Sequence, residues 1–146
     1  MPLTALESAL KEKRGGVWSV GAIDARKVQA AAKKAKFAYF HVDGRPVQRK
    51  EQLMNAMATA LDLPEHFGHN WDALEECLTD LEGIEAEGYL LLYDHIDGLL
   101  GTHPDQFETL VEILKDAVTS WKDDDTAMIV VLSGEAEAPG VERLKP

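Results

Sequence analysis

Two carboxylates, Asp72 and Glu76, stand out among the residues that could do chemistry, because they lie in a long stretch without cations. Residues 51–114 contain 15 Asp or Glu and no Lys or Arg, and the stretch includes the segment LPEHFGHNWDALEECLTDL. Uncompensated negative charge repels itself and weakens the compact state. An acidic stripe can also be a solvated helix face neutralised from elsewhere in the fold. The length of the stretch without Lys or Arg instead favours a surface that binds a strongly positive partner.

An enzyme is the first alternative, either a metal-dependent or an acid/base hydrolase. His66 and His69, beside Glu65, could bind a metal, but a loop does not hold two imidazoles as a helical i,i+4 pair does. Asp72 and Glu76 could act as an acid and a base only in a cleft that raises the pKa of one of them. The sequence reveals neither a third metal ligand nor such a cleft, so we expect no catalysis, no metal and no cofactor.

Charge is distributed unevenly along the chain. Residues 1–50 carry 11 Lys or Arg against 4 Asp or Glu, whereas the whole chain has a formal net charge of −11. This net charge argues against binding to nucleic acids or anionic membranes, since Lys and Arg are needed to meet phosphates. The basic N-terminal third leaves a second alternative, a regulatory interaction module whose first segment binds RNA. Its cations are Lys11, Lys13, Arg14, Arg26, Lys27, Lys33, Lys34 and Lys36.

The length and the cysteine content of the chain constrain its domain size and the cellular compartment in which we expect it. A chain of 146 residues suits one domain of ordinary size. Cys77 is the single cysteine, which excludes an intrachain disulfide and favours a reducing compartment. No segment approaches the ~20 apolar residues of a spanning helix, and the N-terminus has no apolar stretch of signal-peptide length. We expect a soluble, cytoplasmic protein that is monomeric when free.

Helical patterns separate the apolar runs, and this alternation predicts an α/β fold with parallel strands. Three runs, at residues 37–42, 89–93 and 127–132, predict the core strands. Residues 17–20 could add a fourth strand at an edge. Helices are predicted at residues 4–13, 24–35, 48–61, 70–81 and 107–118.

The helix after Asn70 positions the acidic residues. Its apolar residues recur at i, i+3, i+7 and i+10 and should enter the core: Trp71, Leu74, Leu78 and Leu81. The opposite face carries Asp72, Glu75, Glu76 and Thr79. Like charges at i and i+4, such as Asp72 and Glu76, cost an isolated helix roughly 0.2–0.5 kcal/mol. Because no cation lies nearby in the sequence, this cost points to a functional reason.

These residues resemble the barstar family of intracellular ribonuclease inhibitors. The segment LPEHFGHNWDALEECLTDL is similar to the family's binding loop and helix, and the similarity extends over residues 36–134, including Asp43-Gly44, GYLLLYD and MIVVLSG. The resemblance implies a small three-stranded parallel sheet packed with about four helices. It also divides the chain into an N-terminal extension (1–35), a barstar-like domain (36–134) and a flexible tail (135–146).

The resemblance implies a function as well. Family members block a basic ribonuclease by placing acidic side chains where RNA phosphates would bind, so the expected partner is a basic secreted or toxin-type ribonuclease, and the role is toxin immunity. By position in the family's motif, Asp72 and Glu76 match the first and central acidic residues, and Asp116 matches a peripheral one. The other positions carried over are Gly68 and Asn70 in the loop, Thr79 on the helix, and His66 and Phe67 at two aromatic positions.

Four positions depart from the best-known member of the family. Glu76 replaces an Asp, which makes the central side chain one methylene longer. Glu75 and Leu81 replace Trp, and His66 replaces a Tyr, which removes the rigid aromatic contacts that often dominate binding energy. The departures imply a ribonuclease distinct from the partner of that member.

Overall fold

Five parallel strands form a single sheet with helices on both faces. The computed structural model describes residues 2–63, 68–81 and 84–145. In chain order the elements are α1 (Pro2–Glu12), β1 (Gly16–Val20), α2 (Ala25–Lys34), β2 (Ala38–Val42), α3 (Lys50–Ala60), α4 (Trp71–Thr79), β3 (Gly88–Tyr93), α5 (Asp97–Thr102), α6 (Pro104–Asp123), β4 (Ala127–Ser133) and β5 (Glu142–Arg143).

The sheet has the strand order β2-β3-β4-β1-β5, with every pair parallel. In the register, Ala38 lies beside Tyr89 and Gly88 beside Ala127. All six residues of β3 are buried, as expected for a central strand with both faces covered. The carboxyl ends of β2 and β3 therefore meet at one edge of the sheet.

The predicted α/β class is confirmed, but the count of three strands is wrong. Residues 17–20 do form a strand, β1, which lies between β4 and β5. The fifth strand, Glu142–Arg143, has only two residues and both are exposed. A pair of exposed polar residues has no alternating pattern, so hydrophobic periodicity could not predict it.

The helices divide into two layers. Helices α3, α4, α5 and α6 pack on one face of the sheet through one apolar cluster, and α1 and α2 pack on the other face through a second cluster. The second cluster combines larger side chains such as Leu6 and Phe37 with small ones, among them Ala5, Ala9 and Ala32, which are almost fully buried. Small residues let the helices approach closely, so α1 and α2 bury a real interface despite their polar sequences.

The segments outside the barstar-like range also join this sheet. β1 pairs with β4, and Ala138 and Leu144 near the C-terminus are buried. The division of the chain into an extension, a domain and a flexible tail stays a prediction. Among the described residues, no helix has the length and apolar character needed to cross a membrane.

Candidate functional site

Helix α4 begins at a well-formed cap. Asn70 has extended backbone angles, and its side-chain oxygen accepts a hydrogen bond from the Ala73 amide at 2.8 Å. Its side-chain amide donates to the Gly68 carbonyl at 3.3 Å. Such a cap satisfies one of the free amides of the first turn and contributes about 1 kcal/mol. The cap fixes where the acidic helix starts relative to the preceding loop.

The apolar face of α4 is anchored in the core. Leu74 and Leu78 are fully buried and Leu81 nearly so. The Trp121 indole on α6 donates to the Leu78 carbonyl at 2.8 Å, and its ring packs against Tyr89 with centroids 4.8 Å apart. A helix held along its length by buried leucines and at its end by a hydrogen bond presents its outer face as a rigid surface.

The outer face of α4 is acidic and unpaired. Asp72 and Glu76 are exposed and Glu75 is half-buried. Across the described part of the chain, the ion pairs involve other residues and none neutralises these three carboxylates. The Lys50 ammonium instead lies 5.5 Å from the centroid of the Trp71 ring, a cation–π contact. Within the described residues, Asp72 and Glu76 therefore keep their negative charge exposed on the outer face of α4.

The other predicted site residues are placed as follows. Asp116 is exposed on α6, the helix that packs beside α4. The Thr79 hydroxyl is used within its own helix, where it donates to the carbonyls of Glu75 and Glu76 at 3.0 and 3.1 Å. His66 and Phe67 lie outside the described residues. The binding role of all these residues stays a prediction.

The enzyme alternatives gain no support from the described residues. Glu65 and His66, two of the three residues of the metal hypothesis, lie outside them. Cys77, the single cysteine, is a further candidate for chemistry. Burial, and then the nearby Glu76 and Asp80 carboxylates, raise the pKa of its thiol, which opposes formation of a reactive thiolate.

A second carboxylate site, not predicted from the sequence, lies at the carboxyl ends of β2 and β3. One oxygen of buried Asp94 is 2.7 Å from His41 Nε2, and the other is 3.1 Å from His95 Nδ1 and accepts the Gly44 amide at 3.0 Å. A Cβ on Gly44 would lie 1.9 Å from the Asp94 carbonyl oxygen, so only glycine fits there. Asp43-Gly44 and Asp94 each follow an apolar run, a signal that could have indicated this site.

This second site is neutralised from within the molecule. Arg45 donates to both oxygens of Asp43, at 3.0 and 2.8 Å, and lowers the pKa of that carboxyl to about 2. Burial alone would raise the pKa of Asp94, but hydrogen bonds from Gly44, His95 and His41 outweigh it and the pKa is lowered. Among the described residues, Asp43, Asp94 and His95 are the group with the spacing of metal ligands. A metal ion there would displace Arg45, so we interpret the site as structural.

The basic residues of α2 lie in the other helix layer. Lys33 and Lys34 are exposed on α2, which packs on the opposite face of the sheet from α4. Lys13 pairs with Glu87 at 2.9 Å, and Arg14 donates to the Lys145 carbonyl. The lysines of α2 and the acidic face of α4 thus lie on opposite faces of the sheet, and Lys13 and Arg14 make contacts within the fold.

Comparison with known proteins identifies a matching protein family. A family model described as Barstar (barnase inhibitor) matches residues 37–133. Over 83 residues the chain is 29% identical to "Putative ribonuclease inhibitor YrdF" of Bacillus subtilis (strain 168), covering 57% of this chain and 88% of that protein.

Among solved structures, a chain in the structure of Drosophila ORC bound to AT-rich DNA and Cdc6 is similar with a TM-score of 0.45 and 14% identity. The similarity covers 92% of this chain and 48% of that one. A likeness of this size supports no inference about fold or function.

Proposed function

This chain belongs to the barstar family, and we propose that it inhibits a basic ribonuclease by filling the active site with the acidic face of α4 and the loop before it. The family match and the relative named as a ribonuclease inhibitor support an inhibitor-like role, and members of the family are inhibitors rather than enzymes. The observation that carries the mechanism is the anchored helix whose Asp72 and Glu76 are exposed and form no ion pair with any other described residue.

The inhibition is steric and electrostatic. An active site that binds RNA presents Arg, Lys and His to the phosphates, and carboxylates on a rigid helix offer the same cations a substitute anion. Because α4 is already ordered by its cap and its leucines, little conformational entropy is lost when the complex forms. No bond is made or broken by this chain.

The charge of the surface sets the kinetics. Opposite potentials speed the encounter of two proteins, and the gain falls as salt screens it. The unpaired face of α4 therefore favours a ribonuclease with a strongly positive groove. We expect a cytoplasmic inhibitor that is monomeric when free and that protects the cell from such an enzyme, as the immunity partner of a toxin does.

Capture followed by an activity assay tests the proposal. Wild type and the Asp72→Ala/Glu76→Ala variant are used as bait for the secreted and cytosolic proteins of the source cell, and the captured fractions are assayed for RNA cleavage after release. We expect wild type to capture a ribonuclease that is inactive while bound, and the variant to capture far less of it. Recovery of the same ribonuclease by both baits would contradict the proposal.

A further inference from the structure

A cavity lies at the amino ends of β1 and β4, beside the C-terminal ends of α1 and α6. It has a volume of about 480 Å³, within the roughly 300–1,000 Å³ of small-molecule sites. Among the residues that the structure describes, none from α4 lines it. The side chains that could hold a ligand there are Lys13, Arg14, Trp18, Lys122, Asp125 and Thr126.

The Trp18 ring forms an aromatic wall that is held in place. Its indole nitrogen donates to the Arg14 carbonyl at 3.4 Å. A Cβ on Gly16 would lie 2.8 Å from the ring, so the ring packs closely against the backbone of that glycine. Trp18 is half-buried against the second apolar cluster and still lines the cavity. A fixed indole offers a planar surface on which another aromatic ring stacks.

Two lysines bring positive charge to the cavity. Lys122 forms no ion pair with any residue that the structure describes. Lys13 pairs with Glu87 at 2.9 Å, but both side chains are more than half exposed, so water screens the pair. Asp125 is the one carboxylate among the described residues that line the cavity. Both ammonium groups therefore remain able to bind an anion.

Arg14 adds a third positive charge from a fixed position. Its guanidinium donates to the Ser8 hydroxyl at 3.2 Å and to the Lys145 carbonyl at 3.1 Å. Both acceptors are neutral, and the carboxylate of Glu12 lies 3.7 Å from the Arg14 Nε. The C-terminal ends of α1 and α6 carry a partial negative charge, which the three cations offset. An anion is therefore expected at these side chains and not at the helix ends.

We propose that this cavity binds a nucleotide, with the base stacked on Trp18 and the phosphate held by Lys13 and Lys122. A nucleotide combines an aromatic ring with an anion, the two features that the wall and the cations favour. Asp125 and Thr126 supply oxygens that accept hydrogen bonds from ribose hydroxyls or base amino groups. This site lies apart from the outer face of α4, so nucleotide binding is independent of ribonuclease inhibition.

Titration of ¹⁵N-labelled protein at low salt with the four nucleoside 5′-monophosphates tests the site. The Trp18 indole signal should shift saturably with at least one of them, with little change at Trp71. The matching nucleoside and inorganic phosphate should each bind at least tenfold more weakly. If none of the four shifts Trp18 saturably, or if phosphate alone binds as tightly as the nucleotide, the inference is overturned.

A trinucleotide of the same base distinguishes two sources of the nucleotide. Binding that is tighter than that of the monophosphate would assign the site to the nucleotides of an RNA strand. Binding that is equal or weaker would assign it to a free nucleotide, which we expect because the cavity has the volume of a small-molecule site.

A lysine variant tests the proposed phosphate contacts. Lys13→Gln/Lys122→Gln should weaken nucleotide binding about tenfold, while the melting temperature stays close to that of wild type because both side chains are exposed. The matched control, Lys27→Gln/Lys33→Gln, removes the same charge from the exposed surface of α2 and should change affinity less than twofold. Equal weakening by the two variants would reveal a general effect of net charge and would refute the site.

Discussion

Two groups of carboxylates in this molecule differ in their surroundings. At the carboxyl ends of β2 and β3, Asp43 and Asp94 accept hydrogen bonds and pair with Arg45, His41 and His95. On the outer face of α4, Asp72 and Glu76 are exposed, and no other described residue forms an ion pair with them. The first group stabilises the loops that close the sheet. The second places two like charges four residues apart on one helix, and we propose that these carboxylates act in a complex.

The difference predicts that stability and binding separate between the two groups. Substitutions in the paired group should lower the free energy of unfolding and leave inhibition intact. Substitutions in the unpaired group should weaken inhibition without lowering the free energy of unfolding. Single variants in each group test whether stability and binding separate in this way. The largest effect is expected on binding.

Glu76→Ala should weaken binding to the ribonuclease by several kcal/mol, because it removes the central carboxylate from a water-excluded interface. Close charge pairs in the barnase–barstar complex contribute about 1.5–7 kcal/mol, a range taken from that member of the family. Asp116→Ala, at the rim, should cost much less. Calorimetric titration measures both losses. Equal, small losses would show that the positions carried over from the family do not hold here.

Asp94→Ala should lower the free energy of unfolding by about 1–3 kcal/mol, because it leaves the buried Gly44 amide without an acceptor and removes the partner of His41. Urea unfolding measures the change through its midpoint. Inhibition should stay within twofold of wild type once the variant is folded. A variant as stable as wild type would mean that the network does not support the fold.

The paired group should also shape the response to acid. The pKa values of Asp43 and Asp94 are lowered in the fold, so their stabilisation is complete above the unfolded value of about 3.9. It is lost as the pH falls through the folded values, and that of Asp43 is about 2. Wild type should therefore lose more stability between pH 5 and pH 2 than Asp43→Asn/Asp94→Asn, as followed by thermal melts. Parallel pH profiles would contradict this assignment.

Asp123→Asn should slightly raise the free energy of unfolding, by about 0.3–1 kcal/mol at low salt, because it removes a carboxylate from the negative end of α6. Thermal melts at low and high salt measure the gain, which salt should reduce. A loss of stability would place Asp123 with the paired group instead.

Local patterns predicted much of the acidic site. The Asn70 cap and the spacing of Leu74 and Leu78 were sufficient to place α4 and its outer face, because a helix is governed by nearby residues. Because residues 51–114 contain no Lys or Arg, any cation that neutralised this face had to come from another part of the chain. Cations elsewhere in the chain had to be located in three dimensions, as the position of Lys50 over Trp71 illustrates.

Features that depend on tertiary contacts were missed. The Asp94 network needs β2 and β3 to be neighbours in a particular register, and the hydrogen bond from Trp121 to the Leu78 carbonyl needs α4 and α6 to end side by side. The two-residue strand β5 exists only because β1 offers it a free edge. None of these leaves a periodic signal in its own segment.

Inhibition of RNA cleavage tests the central claim most directly. Barnase and the ribonuclease captured by wild type are titrated with wild type, Asp72→Ala/Glu76→Ala and Asp105→Ala/Glu108→Ala. The account predicts that at least one enzyme is inhibited by wild type and by the last variant with similar strength, and at least a hundredfold more weakly by Asp72→Ala/Glu76→Ala. Equal inhibition by all three proteins would contradict the claim that the α4 carboxylates fill the active site.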